Sequence, residues 1–243
     1  MTKSLSFFML QLPEILEQMG ADMVLLGGDR GEQLIGAIVG AHLYKPVAHV
    51  QAGEVSGNID GVSRHAITKF AHLHFAAKRD AADRVLKMGE EPFRVHKVGA
   101  PQLDDFTEGR VTPKEKIYKR YNLDPEKQVA LVVQHSVTEE FDNTEEQMQE
   151  TLEALKQFPD LQPVIMLNNS DAGSAVLRRA IEKYRTPAMK VFPNVPREDF
   201  GGLMQIAGVL VGNSSSGILE APSFKLPAVN IGRREEGRLQ GIN

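Results

Sequence analysis

The segment 46–69, PVAHVQAGEVSGNIDGVSRHAITK, joins a short apolar run to an amphipathic helical pattern. The run 46–50 is typical of the end of a buried strand, and the helix is expected from about Val62 to Ala71. Ligand sites of open α/β sheets lie at the carboxyl ends of such strands. The segment therefore predicts a site rather than an ordinary charged loop, and its candidate functional side chains are Glu54, Asp60, Arg64 and His65.

The same alternation of short apolar runs and amphipathic helices continues in both directions along the chain, which is typical of parallel βαβ units. In the first half, strands are expected at 22–26, 47–50, 74–76 and 95–98, with helices at 5–19, 32–43, 62–71 and 80–88. In the second half, strands are expected at 129–133, 163–167, 189–192, 209–211 and 228–231.

A charged stretch without apolar strands, 106–127, separates the two halves and is interpreted as a linker. The pattern predicts an α/β protein with two doubly wound, Rossmann-like domains, at residues 1–109 and 110–243. Small-molecule sites favour the interface between domains, so the active site is expected in the cleft between these two. The chain starts on a helix that needs a preceding strand and stops soon after a strand, so it is expected to be a fragment.

Composition limits the classes of function. With 42% hydrophobic and 25% charged residues, the chain has ordinary globular composition. A net charge of −4 argues against a nucleic-acid-binding protein, which would carry an excess of basic residues. The apolar runs fall far short of the ~18–20 residues of a membrane span. The absence of cysteine excludes disulfides and thiolate metal sites, and it suits a cytoplasmic protein.

Four further polar clusters fall at expected strand ends. Each cluster also has a purely structural interpretation. Asp29 could cap the N-terminus of a helix, and His135 could be a structural histidine. The Asn169 side chain could bond only the backbone of its own turn, and the serines could simply cap a helix. Serine hydroxyls and backbone N–H groups at a helix start bind phosphate. The clusters are Gly27-Gly-Asp-Arg30, Val133-Gln-His-Ser-Val-Thr138, Leu167-Asn-Asn-Ser-Asp-Ala-Gly173 and Val211-Gly-Asn-Ser-Ser-Ser-Gly-Ile-Leu-Glu-Ala-Pro-Ser223.

Other motifs are missing. Neither the phosphate loop of P-loop NTPases nor the dinucleotide fingerprint matches the serine-rich turn. Gly-x-Ser-x-Gly and His-Glu-x-x-His do not occur, which argues against a serine hydrolase elbow and a zinc site. The cationic stretch Gly232-Arg-Arg-Glu-Glu-Gly-Arg238, which contains Arg234, is suited to a diphosphate.

At these residues the chain resembles the hydrolysing UDP-N-acetylglucosamine 2-epimerases of sialic-acid and related nonulosonic-acid biosynthesis. The resemblance runs from Gly28-Asp29-Arg30 through Arg64-His-Ala-Ile-Thr-Lys69 to Gly212-Asn-Ser-Ser-Ser-Gly217 and Asn230-Ile-Gly232. It implies the two-domain glycosyltransferase-B architecture, with UDP held mainly by the second domain. It also implies a UDP-sugar as the small-molecule partner, no nucleic-acid or membrane partner, no metal or cofactor, and a homo-oligomer.

The resemblance implies a two-stage reaction. A base removes the C2 proton as UDP leaves C1, and water then adds to the resulting glucal with inverted C2 configuration, releasing N-acetylmannosamine. Such chemistry requires carboxylates for the proton transfers and cationic or dipolar donors for the diphosphate. The implied catalytic residues are Asp29, Glu54, Asp60, Arg64, His65 and His135. The implied UDP-binding residues are Arg30, His135, Asn169, Ser214, Ser215, Ser216, Glu220 and Arg234.

Two features depart from the family pattern and leave alternatives open. Many relatives carry glutamate at the position of Gln51, and an amide cannot take up a proton, so either Glu54 takes that role or this chain differs from them in substrate or activity. The family's first strand and closing helices are also missing from this sequence. The alternatives are the same chemistry on UDP-2,4-diacetamido-trideoxyglucose, a glycosyltransferase, and a UDP-sugar-binding remnant without turnover.

Overall fold

The computed structural model describes residues 2–56, 59–167 and 173–241. The chain divides into two compact units, Met1–Pro101 with Glu236–Arg238 and Gln102–Glu235 with Leu239–Asn243. The division falls at 101/102, earlier than the boundary at 109/110 that the sequence pattern predicts. Among the described residues, no helix is long and apolar enough to cross a membrane.

The first unit is a four-stranded parallel sheet in the order β1-β2-β3-β4. Its strands are β1 (Val24–Gly27), β2 (Val47–Val50), β3 (Leu73–Ala76) and β4 (Val95–Lys97), and its helices are α1 (Thr2–Gln18), α2 (Gly31–His42), α3 (Ile59–Phe70) and α4 (Arg79–Lys87). Gly27 pairs with Val50, and Val50 with Phe75. Because these carboxyl ends are in register, the β1–α2 and β2–α3 loops lie at the same edge of the sheet.

Two glycines allow close packing in this unit. A Cβ atom at Gly40 of α2 would lie 2.9 Å from Val47 and 3.0 Å from Val24, so its absence allows the helix to pack tightly on β1 and β2. Gly53 has φ +75°, and a Cβ atom there would lie 2.1 Å from the carbonyl oxygen of Ala81. Only glycine therefore allows the β2–α3 loop to approach α4 this closely.

The second unit is a five-stranded parallel sheet in the order β7-β6-β5-β8-β9. Its strands are β5 (Gln128–Val133), β6 (Leu161–Met166), β7 (Lys190–Phe192), β8 (Ala207–Gly212) and β9 (Ala228–Asn230), and its helices are α5 (Asp104–Thr107), α6 (Lys114–Arg120), α7 (Thr144–Lys156), α8 (Ser174–Tyr184), α9 (Arg197–Ile206) and α10 (Ser216–Leu219). Strands β6 and β7 are added on one side of β5, whereas β8 and β9 are added on the other, so the strand order reverses between β5 and β8. In doubly wound sheets, ligands bind outside the carboxyl ends of the strands at this switch point.

Part of the expected linker is folded into the second unit. Ile117 of α6 is fully buried in the core of this unit. The buried carboxylate of Asp199 in α9 accepts hydrogen bonds from Thr112 Oγ1 and Tyr121 Oη, both at 2.5 Å, and from Arg120 at 2.6 Å. This network fastens the segment 112–121 to α9. The sequence pattern does not predict this contact between the segment 112–121 and α9, because α6 is short and charged.

Candidate active site

The β1–α2 turn presents Asp29 at the edge of the first sheet. Gly28 has φ +88°, and its N–H donates to the carbonyl oxygen of Val50 at 3.2 Å, which ties the turn to β2. The N-cap position of α2 is Arg30 rather than Asp29. Asp29 Oδ2 instead accepts a hydrogen bond from Arg64 Nη2. The helix-cap interpretation of Asp29 is therefore wrong, and its carboxylate serves a contact with α3.

Arg64 joins three segments at this edge. The residue is 4% exposed, and its guanidinium donates to Asp29 and, at 2.8 Å, to the carbonyl oxygen of Gln51. Gln51 has φ +62°, a backbone conformation that is uncommon for a residue with a side chain. The structure thus makes Arg64 a positioning residue that holds the β1–α2 and β2–α3 loops together.

Glu54, a predicted acidic group of the β2–α3 loop, is ion-paired with the segment that follows β3. Its carboxylate is nearly buried, and Oε2 lies 3.5 Å from Lys78 Nζ. Arg84 of α4 also donates to the carbonyl oxygen of Gly53. These contacts with the segment after β3 fix Glu54 at the same sheet edge as Asp29.

Asp60 and His65 both lie in α3. The helix begins at Ile59, earlier than expected, so Asp60 occupies its first turn, where a negative charge is favourable for the helix dipole. Asp60 and Arg64 are four residues apart and share one face of the helix. The pKa of His65 is lowered by burial and by the neighbouring Arg84 and Arg64 guanidinium groups.

His49 of β2 is a residue that the sequence analysis did not single out. Its side chain is fully buried, and Nε2 lies 2.8 Å from the carbonyl oxygen of Gly28. Since a carbonyl can only accept, Nε2 carries the hydrogen. Burial lowers the pKa of His49 to about 4, so the ring is neutral at neutral pH. It fixes the peptide before Asp29; the only signal in the sequence was a polar residue inside an apolar strand.

In the second unit, the predicted His135 lies at the switch point. A buried side chain from the neighbouring loop, Asn213, bonds its backbone twice: Oδ1 accepts from His135 N at 2.6 Å, and Nδ2 donates to His135 O at 2.8 Å. Gly212 allows the approach, because a Cβ atom there would lie 2.0 Å from the carbonyl oxygen of Val133. The ends of β5 and β8 are thereby joined.

The serine-rich turn follows β8 but does not start a long helix. α10 contains only Ser216–Leu219, and a 3₁₀ turn follows at Ala221–Phe224, where Pro222 cannot continue the α-helical bonding. The helix expected to start at this turn is therefore present but only about one turn long. Ser214 Oγ accepts from the N–H and, at 2.9 Å, from the hydroxyl of Ser216, which is itself buried.

Glu220 directly follows α10 rather than lying one turn inside a helix. Its carboxylate is 15% exposed, and Oε1 lies 3.4 Å from Arg197 Nη1. Burial raises the pKa of Glu220, and Arg197 opposes this rise. The guanidinium of Arg197 also lies 4.3 Å from the ring centre of Phe106. Arg197 therefore orients Glu220, a contact that the sequence pattern does not reveal.

Arg234 is directed toward the same loop. Its Nη1 donates to the carbonyl oxygen of Asn213 at 3.0 Å and to Glu235 Oε1 at 2.8 Å. The predicted Arg30, in contrast, belongs to the first unit, where it forms an exposed ion pair with Glu32 at 3.6 Å. The predicted Asn169 lies outside the described residues.

Comparison with known proteins places these features in a family. The family described as UDP-N-acetylglucosamine 2-epimerase matches residues 1–243. A UDP-N,N'-diacetylbacillosamine 2-epimerase (hydrolyzing) of Legionella pneumophila is 37% identical over 244 residues, covering 100% of this chain and 64% of the relative. A UDP-N-acetylglucosamine 2-epimerase of Neisseria meningitidis is 32% identical over 230 residues, covering 95% of this chain and 60% of the relative.

Solved structures agree on the fold. The Neisseria meningitidis UDP-GlcNAc 2-epimerase bound to UDP-GlcNAc matches with a TM-score of 0.80 at 20% identity, over 96% of this chain and 65% of that one. The S. aureus MnaA–UDP co-structure gives 0.81 at 22% identity, over 96% and 63%. The predicted α/β class with two parallel-sheet, Rossmann-like units is confirmed. The chain spans less than two thirds of the length of these relatives, and it belongs to the UDP-N-acetylglucosamine 2-epimerase family.

Proposed function

We propose that this chain carries the catalytic and nucleotide-binding elements of a hydrolysing 2-epimerase for a UDP-activated 2-acetamido sugar. The observation that supports it most strongly is the placement of the two family motifs. The first motif, Arg64-His-Ala-Ile-Thr-Lys69, lies beside carboxylates at the carboxyl edge of one parallel sheet. The second motif, Gly212-Asn-Ser-Ser-Ser-Gly217, lies at the switch point of the other sheet, beside His135 and Arg234.

In the proposed reaction, a base of the first unit removes the C2 proton while the C1–O bond to UDP breaks. The electron pair of the C2–H bond forms the C1–C2 double bond, and the negative charge leaves on UDP. Water then adds its hydroxyl to C1 and a proton to C2 on the opposite face. The candidate carboxylates are Asp29, Glu54 and Asp60, which suit both proton transfers.

The second unit provides the groups proposed to hold UDP. Arg234, His135 and the hydroxyls of Ser214 and Ser215 suit the diphosphate, whose negative charge increases as it leaves. Glu220, held by Arg197, is suited to accept from the ribose hydroxyls. Because α10 is a single turn, hydroxyl and guanidinium donors rather than a helix dipole are assigned this role.

Two sugars are candidates. The first is UDP-N-acetylglucosamine, the sugar in the name of the family that the motifs resemble and of the Neisseria meningitidis relative. The second candidate is the 2,4-diacetamido sugar, because the Legionella pneumophila relative at 37% identity is named for it. Gln51 does not distinguish the two sugars. Its backbone carbonyl accepts a hydrogen bond from Arg64, and its side-chain amide cannot act as the base for either substrate.

The test is incubation of the chain with each UDP-sugar in D₂O, followed by proton NMR. We expect free UDP and a C2-deuterated, C2-inverted sugar from one of them without any acceptor. Asp60→Asn should abolish this product while UDP affinity stays within a few-fold, because Asp60 is assigned to proton transfer. UDP release only with an acceptor would indicate a glycosyltransferase, and UDP binding without turnover of either sugar would indicate a binding remnant.

A further inference from the structure

Asn213 connects the loops at the switch point through hydrogen bonds. Its side chain is 3% exposed and bonds both the N–H and the carbonyl of His135. Its own N–H donates to the carbonyl oxygen of Val133 at 3.2 Å. Its own carbonyl accepts from Arg234 at 3.0 Å. One residue therefore joins the end of β5, the end of β8 and the arginine that follows β9.

The chemistry of this residue fits such a bridge. A side-chain amide offers a donor and an acceptor in one plane, so it matches the N–H and C=O of one backbone residue. Replacing it by alanine would leave both groups of His135 without these bonds. Because the amide is buried, it has no surface for contact with a nucleotide, and its influence on one must pass through His135 and Arg234.

We propose that Asn213 is a positioning residue for nucleotide binding, which sets the backbone at His135 and the direction of Arg234 before the diphosphate arrives. The inference rests on the proposed function, because that function assigns His135 and Arg234 to UDP. Preorganised donors raise affinity because binding then need not order them.

The chain contains a matched control. Gln162, near the amino end of β6, is also a buried amide that bonds both backbone groups of one residue. Its Oε1 accepts from Asp124 N at 3.0 Å, and its Nε2 donates to Asp124 O at 3.4 Å. It lies at the opposite edge of the same sheet from the switch point. Gln162→Ala therefore removes the same type of bridge away from the candidate site.

The experiment compares the 243-residue chain with Asn213→Ala and Gln162→Ala. Isothermal titration with UDP gives the dissociation constant, thermal melting gives stability, and NMR hydrogen exchange gives the protection of the His135 amide. We expect Asn213→Ala to weaken UDP binding at least about tenfold and to speed exchange at His135. Gln162→Ala should lower the melting temperature to a similar degree, with UDP affinity within twofold of the unmodified chain.

The outcomes separate the two proposals. If the unmodified chain binds UDP and Asn213→Ala binds it equally well, the positioning role is overturned and the proposed function stands. An equal loss of affinity in Gln162→Ala would also overturn it, since general destabilisation would then explain the effect. If the unmodified chain does not bind UDP, the proposed nucleotide role of this unit fails, and the positioning role fails with it.

Discussion

A single guanidinium holds the two loops of the first unit in place. Arg64 donates from separate nitrogens to Asp29 and to the carbonyl of Gln51, and it is almost completely buried. The planar fork of arginine suits two acceptors at a fixed angle, whereas the ammonium of lysine is a compact point charge on a flexible stem. The arrangement of Asp29 therefore depends on arginine itself and not only on a positive charge.

Arg64→Lys is expected to reduce turnover at least about tenfold, because one ammonium group cannot maintain both contacts and Asp29 loses its fixed position. Unfolding free energy should fall by about 1–3 kcal/mol, since a nearly buried pair is weakened. The measurements are kcat with the active UDP-sugar and thermal melting. Arg79→Lys is the control, because Arg79 is 88% exposed and its contact with Asp83 is 3.9 Å long. Full activity in Arg64→Lys would show that positive charge alone suffices.

The sequence made some of these residues predictable and left others hidden. Asp29, Glu54 and Asp60 were found because charged groups at the ends of apolar strands are unusual. His49 and Asn213 were not assigned roles, because their importance comes from partners 21 and 78 residues away in the chain. Hydrogen bonds between distant segments leave no periodic pattern, so only the folded structure reveals which polar residue supports which.

At the scale of elements, the strands and the long helices of the first unit were easier to predict than the short helices. The strands of a parallel sheet covered on both faces are short continuous apolar runs, such as Val129–Val133, and these are visible in the sequence. The segment Lys114–Arg120 was misread as linker because it is short and charged, with only Ile117 and Tyr118 packed against the core. The turn after β8 was expected to start a helix, but the sequence pattern did not reveal that this helix ends at Leu219, just before Pro222. Short elements are set by tertiary contacts more than by periodicity.

The shortness of α10 makes a specific prediction for the serine-rich turn. Without a long helix dipole, affinity for the diphosphate depends on individual donors. Hydrogen bonds to charged groups contribute about 1.5–3 kcal/mol each. The double substitution Ser214→Ala with Ser215→Ala should therefore weaken UDP binding at least about tenfold by titration calorimetry. Ser223→Ala, at an exposed position of the following 3₁₀ turn, should leave the affinity unchanged. Unchanged affinity in the double variant would remove the serines from the proposed site.

At the scale of the whole molecule, the two units differ in the groups that sense pH. In the first unit, burial lowers the pKa of His49 to about 4, and burial also lowers the pKa values of His65 and His74. In the second unit, burial opposes a low pKa for Asp199, but hydrogen bonds from Thr112, Tyr121 and Arg120 outweigh it and lower the value. The histidines respond to mild acid, whereas Asp199 responds only near or below its ordinary value of 3.8.

The first unit is therefore expected to lose stability in mild acid before the second. Between pH 6.5 and about 4, unfolded His49 binds a proton that the folded state excludes, so the free energy of unfolding falls as the pH falls. At pH 5 this amounts to about 2 kcal/mol, from ~1.4 kcal/mol for each pH unit below 6.5. Hydrogen exchange at pH 7.5 and pH 5, corrected for intrinsic rates, should show protection lost in β2 and retained in β5.

His49→Asn identifies the group responsible for this difference. The amide of asparagine keeps a donor for the carbonyl of Gly28 but does not titrate, so the variant should lose less protection in β2 between pH 7.5 and pH 5 than the unmodified chain does. His42→Asn is the control, because His42 lies exposed in the last turn of α2. A loss in β2 as large in His49→Asn as in the unmodified chain would show that other groups cause the acid sensitivity. Equal losses in β2 and β5 would contradict the assignment of acid sensitivity to the first unit.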